Sequence, residues 1–256
     1  MGAITLNAQV EGDPAAVELA YDEAVAEGAK RAGTMAFTGD GGAPYMYDSG
    51  IAACIKRPGY VIPTIKPRDD EAIIERAKRA ITAGAPAVAS DIDAATLINM
   101  RLLGQPVGPK NAASIAKITA AIEAPFIVKG IMSADEAIAC VNAGAKSIVV
   151  SNHGGRVLDG MAGTADVLPD IAAAVKGKIT IFADGGVRSG EDVLKLLALG
   201  ADAVLVGRLA AIAAIGGGAE GVQLLLDTLA QELRDAMMIT GMTDVKHVSP
   251  RILRKL

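Results

Sequence analysis

The chain has 256 residues, 51% of them hydrophobic but only 3% aromatic and none of them Trp, so a sizeable core has to come from Ala, Val, Ile and Leu. A net charge of −4 with no basic block argues against nucleic acid as a partner. Met1–Pro14 lacks the basic start and apolar centre of a signal peptide. The longest apolar run, Leu209–Ile215, is far short of a membrane span, and two isolated cysteines, Cys54 and Cys140, fit a reducing cytoplasm.

In chain order, Met1–Leu6 reads as the stub of a first strand. A helix over Pro14–Ala32 follows, opened by Asp13 as N-cap with Pro14 at its first position. Short continuous apolar runs then predict strands at Thr34–Thr38, Tyr60–Ile65, Ala87–Ile92, Phe126–Gly130, Ser147–Ser151, Thr180–Ala183 and Ala203–Val206. They do not alternate, as expected of strands buried on both faces. Helical patterns fill the intervals at Asp70–Ala83, Asn111–Ile122, Ala134–Asn142, Ala165–Val175 and Glu191–Ala198. Ser133 with Glu136 has capping-box spacing, and Ser189 stands before Glu191 and Asp192 as a second helix start. Gly33, Gly84, Gly144 and Gly200 each end a helix just before a strand. No linker interrupts this βα repetition, which predicts one α/β domain over residues 1–256. The architecture expected is a (β/α)8 TIM barrel with strand 1 truncated or missing.

Chemistry-bearing residues gather at the predicted strand ends, the functional face of a barrel. Asp184-Gly185-Gly186-Val187-Arg188 and Gly207-Arg208 close the last two strands. Glycines let the backbone approach an anion and Arg adds charge-assisted hydrogen bonds, so the two motifs together predict a phosphate site. Either motif alone would read as an ordinary tight turn. Ser151-Asn152-His153-Gly154-Gly155-Arg156 carries one of only two histidines in the chain. There His153 can move a proton and Arg156 can grip a carboxylate. Two histidines rule out a multi-histidine metal site, and no metal is expected; His247, in a polar stretch, reads as solvated. Lys129 closes an apolar strand and can stabilise negative charge, or simply pair at the barrel rim. Asp91 and Asp93 end Val88–Asp93 pointing the same way, and a carboxylate beside His153 would orient its ring.

These segments, Phe126–Ile131, Ser151–Asp159, Phe182–Gly190 and Leu196–Arg208, resemble the FMN-dependent 2-hydroxy acid oxidases and dehydrogenases, such as glycolate oxidase and lactate oxidase. The resemblance covers nearly the whole chain and is most specific from about residue 124 onward. It implies FMN as cofactor and a small 2-hydroxy acid as substrate, oxidised to the 2-oxo acid. It implies that His153 is the active-site base, Asp93 its partner and Arg156 the carboxylate ligand. Lys129 would contact the flavin ring, Ser151 and Gly154 would lie near flavin or substrate, and Asp184 would meet the ribityl chain. Gly185, Gly186, Arg188, Gly207 and Arg208 would cradle the phosphate.

The chain also departs from the family pattern. A substrate Tyr and most of strand 1 are absent. Pro63 and Ile65 stand where the family has a Gln and a Tyr, and Asp91 stands for a flavin-contacting Thr. The position of a strand 2 serine falls at Gly39 or Asp40, and Arg101 is out of register with a second substrate arginine. These departures keep two other readings in view. One is a different FMN-barrel reaction, such as isoprenoid-diphosphate isomerisation. The other is a non-catalytic, incomplete flavin binder. A barrel lacking strand 1 exposes two strand edges, which a homo-oligomer would cover.

Overall fold

The computed structural model describes residues 12–254; the strand stub expected at Met1–Leu6 lies outside them. Seven strands form one all-parallel sheet in chain order: β1 (Ala36–Thr38), β2 (Val61–Ile65), β3 (Val88–Asp91), β4 (Phe126–Ile131), β5 (Ser147–Val150), β6 (Thr180–Ala183) and β7 (Ala203–Val204). The helices are α1 (Pro14–Arg31), α2 (Tyr45–Lys56), α3 (Asp70–Thr82), α4 (Ile98–Leu102), α5 (Ala112–Ala121), α6 (Ala134–Asn142), α7 (Thr164–Val175), α8 (Gly190–Ala198) and α9 (Arg208–Thr240). The end signals act as the sequence suggests. Asp13 caps α1, Ser133 and Glu136 close a capping box on α6, and Ser189 accepts from the Asp192 amide to cap α8. Gly33, Gly84, Gly144 and Gly200 all take positive φ.

The sheet curls on itself. Phe37 of β1 and Phe182 of β6 meet edge to face at 6.0 Å between ring centroids, although four strands separate them in the ladder. Around that contact Ile62, Ala89, Ile127 and Val149 form an interior core. A larger core of Ile, Val, Leu and Ala fills the space between sheet and helices. The helical layer wraps further round than the sheet. α1 packs against both α9 and α2, and α8 against α9. The α1–α9 contact is close because Gly28 has no side chain; a Cβ there would sit 2.5 Å from Val222 Cβ. Among the described residues no ladder joins β7 to β1. The described sheet is therefore a curled seven-stranded part of a barrel, and not the closed eight-stranded one.

Three helices lie outside the sequence expectation: α2, the short α4 and α9. α2 contains Gly50 and follows Pro44, a composition that hides its period. α9 begins with the apolar run Leu209–Ile215 and passes through Gly216, Gly217 and Gly218, where the helix only kinks at Gly218 (φ 56°, ψ −146°), before continuing to Thr240. This lengthens the apolar segment well beyond Leu209–Ile215. At 33 residues, with an 18-residue window of mean hydropathy 1.6, α9 is long and apolar enough to cross a bilayer by length and composition.

Candidate functional site

The C-terminal strand ends bring together a compact charged group. β3 stops at Asp91, and a 3-10 turn over Ile92–Thr96 then carries Asp93 inward, so strand alternation is not what aligns the two carboxylates. Room for Asp93 comes from Gly130 (φ 104°), where a Cβ would lie 2.5 Å from Asp93 Cβ. The Asp93 carboxylate receives His153 Nδ1, with both oxygens at 3.1 Å. An acceptor there requires the proton on Nδ1 and leaves the Nε2 lone pair free. His153 is the one non-glycine residue with positive φ (58°) among the described residues. That conformation costs on the order of 1–3 kcal/mol and needs support. Here the support is the Asp93 contact together with the His153 amide donating to Ser151 Oγ at 3.2 Å.

Lys129 is the electrostatic centre. Its Nζ donates to Ser151 Oγ at 2.8 Å and stands 3.9 Å from Asp93 and 3.8 Å from Asp184. Burial pushes the Asp93 carboxyl up, but the His153 hydrogen bond and the charges of Lys129, His153 and Lys66 outweigh it, and the net effect holds it below the usual carboxylate range. Asp93 is thus an anion at neutral pH. Asp184 Oδ1 is buried without a hydrogen-bond partner, while the Asp184 carbonyl accepts from Thr164 Oγ1 at 2.5 Å.

The expected phosphate turns lie beside this group. Gly186 has φ 72°, and a Cβ on Gly186 or Gly207 would meet nothing within 4 Å, so both turns face open space. The amides of Gly185, Gly186 and Val206 have no partner among the described residues. α9 starts directly after Gly207 with no side-chain cap, leaving its positive end available to an anion. Arg188 is exposed on this face. Arg208 donates to the Gly154 carbonyl at 3.3 Å and so ties the glycine turns to the His153 loop. Gly154 is needed for that approach, since a Cβ on it would lie 2.6 Å from Arg208 NH2.

Arg156 stands apart from this cluster. It is exposed, makes no ion pair among the described residues, and lines a cleft of about 220 Å³ with Thr96, Leu97, Ile98, Asn99 and Val157. His247 is exposed and pairs with Asp244 at 2.6 Å.

Sequence reasoning missed Lys66. It is 7% exposed, and its ammonium pairs with Asp91, itself 2% exposed. The available signal was the one that marked Lys129, a Lys closing an apolar strand. Asp40, also unassigned, is buried and binds Arg68 at 3.1 Å and the Lys66 amide at 3.2 Å, locking the ends of β1 and β2 together. Asp91, Asp93 and His153 lie close enough to hold one cation, each offering a ligand atom within 4.8 Å of the others. Both carboxylates already face an ammonium group, Lys66 for Asp91 and Lys129 for Asp93.

Comparison with known proteins places this geometry. The family model described as FMN-dependent dehydrogenase matches residues 99–255. An L-lactate dehydrogenase of Allorhizobium ampelinum is 51% identical over 126 residues, covering 49% of this chain and 33% of that protein. The 2-hydroxyacid oxidase 1 of Mus musculus is 50% identical over 131 residues, covering 51% of this chain and 35% of that protein. The matched part thus spans about a third of these curated relatives. A solved structure of mandelate oxidase with (S)-2-phenylpropionate superposes with a TM-score of 0.73 at 33% identity, covering 90% of this chain and 72% of that one. A mandelate oxidase mutant with a monooxide FMN adduct gives 0.72 at 34% identity. With a family match over more than half its length, and with His153, Asp93 and Lys129 drawn together at one barrel mouth, the chain belongs to the FMN-dependent dehydrogenase family.

Proposed function

We propose that this chain binds FMN and oxidises a small 2-hydroxy acid to the 2-oxo acid. The observation that carries the reading is Lys129 standing between Asp93, which holds His153, and Asp184, which borders the open glycine turns. The residues fit the cofactor. Gly185, Gly186, Gly207, Arg188 and Arg208 suit its phosphate, and the unpartnered Asp184 Oδ1 suits a ribityl hydroxyl. Lys129, Ser151 and Gly154 would border its ring.

Bound FMN supplies the acceptor for the two electrons that leave the substrate carbon. His153 Nε2 accepts the proton released in that oxidation, and Asp93 stabilises the resulting imidazolium. Lys129 provides positive charge where negative charge accumulates. Arg156 orients the substrate carboxylate, swinging in from the exposed loop after β5. Anaerobic titration of the flavin-loaded protein with lactate, glycolate and mandelate tests the reading; a flavin band that none of them bleaches would overturn it.

The finer architecture belongs to the same proposal. The described strands correspond to seven of the eight in one (β/α)8 domain over residues 1–256, with strand 1 truncated or missing at the seam between β7 and β1. The helical layer carried across that seam by α1 and α9 supports this. The exposed Ile212, Ile215 and Leu224 of α9 support a homo-oligomeric contact in place of a bilayer. Two buried free thiols, Cys54 and Cys140, support a cytoplasmic setting. The net charge of −4 supports a protein without a nucleic-acid partner.

A further inference from the structure

We infer that Asp91, held by Lys66, reads the pyrimidine edge of the flavin by accepting the N3–H hydrogen bond; this rests on the FMN reading above. Asp91 is 2% exposed, and one of its oxygens takes the Lys66 ammonium. The other, Oδ1, is buried with no hydrogen-bond partner. An unsatisfied acceptor on a buried carboxylate is costly, so it marks a place for a donor from outside the chain. The hydrogen bonds that the chain's own donors make nearby go elsewhere: Lys66 to Asp91 Oδ2, His153 Nδ1 to Asp93, and Lys129 to Ser151.

The surrounding charges describe the donor's neighbours. Asp91 pairs with Lys129 in the β3–β4 register, and Lys66 follows the end of β2 on its other side. Donor, acceptor and donor therefore run across three consecutive strand ends as Lys66, Asp91 and Lys129. The flavin pyrimidine edge offers the complement, an N–H flanked by two carbonyls. Asp184, the other carboxylate of the group with an unpartnered oxygen, lies beyond Lys129 on the side of the glycine turns. A carboxylate can only accept, so Asp91 selects a ring that carries hydrogen at N3. Lys66 is a positioning residue that fixes the carboxylate.

The test is equilibrium binding of FMN and of 3-methyl-FMN, followed by flavin fluorescence, to the wild-type protein and to Asp91→Ala. A charge-assisted hydrogen bond predicts a wild-type preference for FMN of roughly 10–100-fold. In Asp91→Ala, FMN should bind weaker by a similar factor and 3-methyl-FMN should bind no worse. FMN affinity unchanged in Asp91→Ala, or a preference that persists there, overturns the assignment. If Asp91→Ala does not fold, Asp91→Asn supports the assignment by a reduced preference for FMN and overturns it by an unchanged one. A wild-type protein that binds neither flavin refutes the FMN reading itself, a different result from FMN bound without discrimination.

Discussion

Replacing Glu18 with Gln should stabilise the fold at neutral pH, and the gain should grow as pH rises. Glu18 is 2% exposed on α1, its Oε1 has no partner, and Asp22 lies one turn further on. Burial, with the Asp22 charge added, pushes the Glu18 carboxyl from 4.5 up to about 8. Burial also pushes Asp22 up, to about 7, despite the 2.6 Å hydrogen bond from Ser49 Oγ. The unfolded Glu18 ionises near 4.5 while the folded one keeps its proton to about 8. In that window the native state binds more protons than the unfolded state, so stability is full below the window and falls as pH rises through it. Each pH unit is worth about 1.4 kcal/mol, so by pH 7 the loss is about 3 kcal/mol. Gln mimics the neutral acid and removes this term, leaving that of Asp22. Urea unfolding at pH 4, 7 and 8.5 should give nearly equal stabilities at the lowest pH and a widening advantage for Glu18→Gln above it. At pH 7 the gain corresponds to a Tm roughly 5–10 °C higher. Parallel pH profiles for the two proteins would refute the reasoning.

Asp93→Asn should slow flavin reduction by a bound hydroxy acid about 100-fold or more while flavin content stays unchanged, because the His153 partner loses its charge; anaerobic stopped-flow measures it, and wild-type rates would remove Asp93 from the mechanism. His153→Ala should likewise keep flavin and lose reduction in the same assay. Arg188→Ala should weaken FMN binding about 10-fold, read by flavin retained through gel filtration, and full retention would count against the phosphate assignment. Gly190→Ala should destabilise by about 3 kcal/mol, since the new Cβ would sit 2.1 Å from the Leu233 amide nitrogen where α8 meets α9; a Tm within a degree of wild type would contradict that packing.

Much of the molecule was legible in its sequence because local chemistry carried it. Continuous apolar runs marked all seven strands, since a strand covered on both faces needs no polar alternation. Asp13, Ser133 and Ser189 marked helix starts through hydrogen bonds that span only a few residues. The glycine turns after β6 and β7 were visible for the same reason. α2 was not, because Gly50 and Pro44 disguise a helix that tertiary packing supports. The kink at Gly218 was not either, because α1 and α8 hold α9 along its length despite three glycines.

The sequence by itself determined the βα order, the strand ends and the residue types offered there, His153, Asp93, Lys129 and the two Gly-Arg turns among them. Only the tertiary structure decided which of these meet. Asp91 and Lys66 are 25 residues apart and Asp93 and His153 are 60 apart, so each pair forms only when the sheet brings its strand ends together. It also set Arg156 apart from the cluster and left one oxygen of Asp91 without a partner. Local propensity acts over a few residues, while the charge balance at the barrel mouth is fixed by strands brought side by side from half the length of the chain.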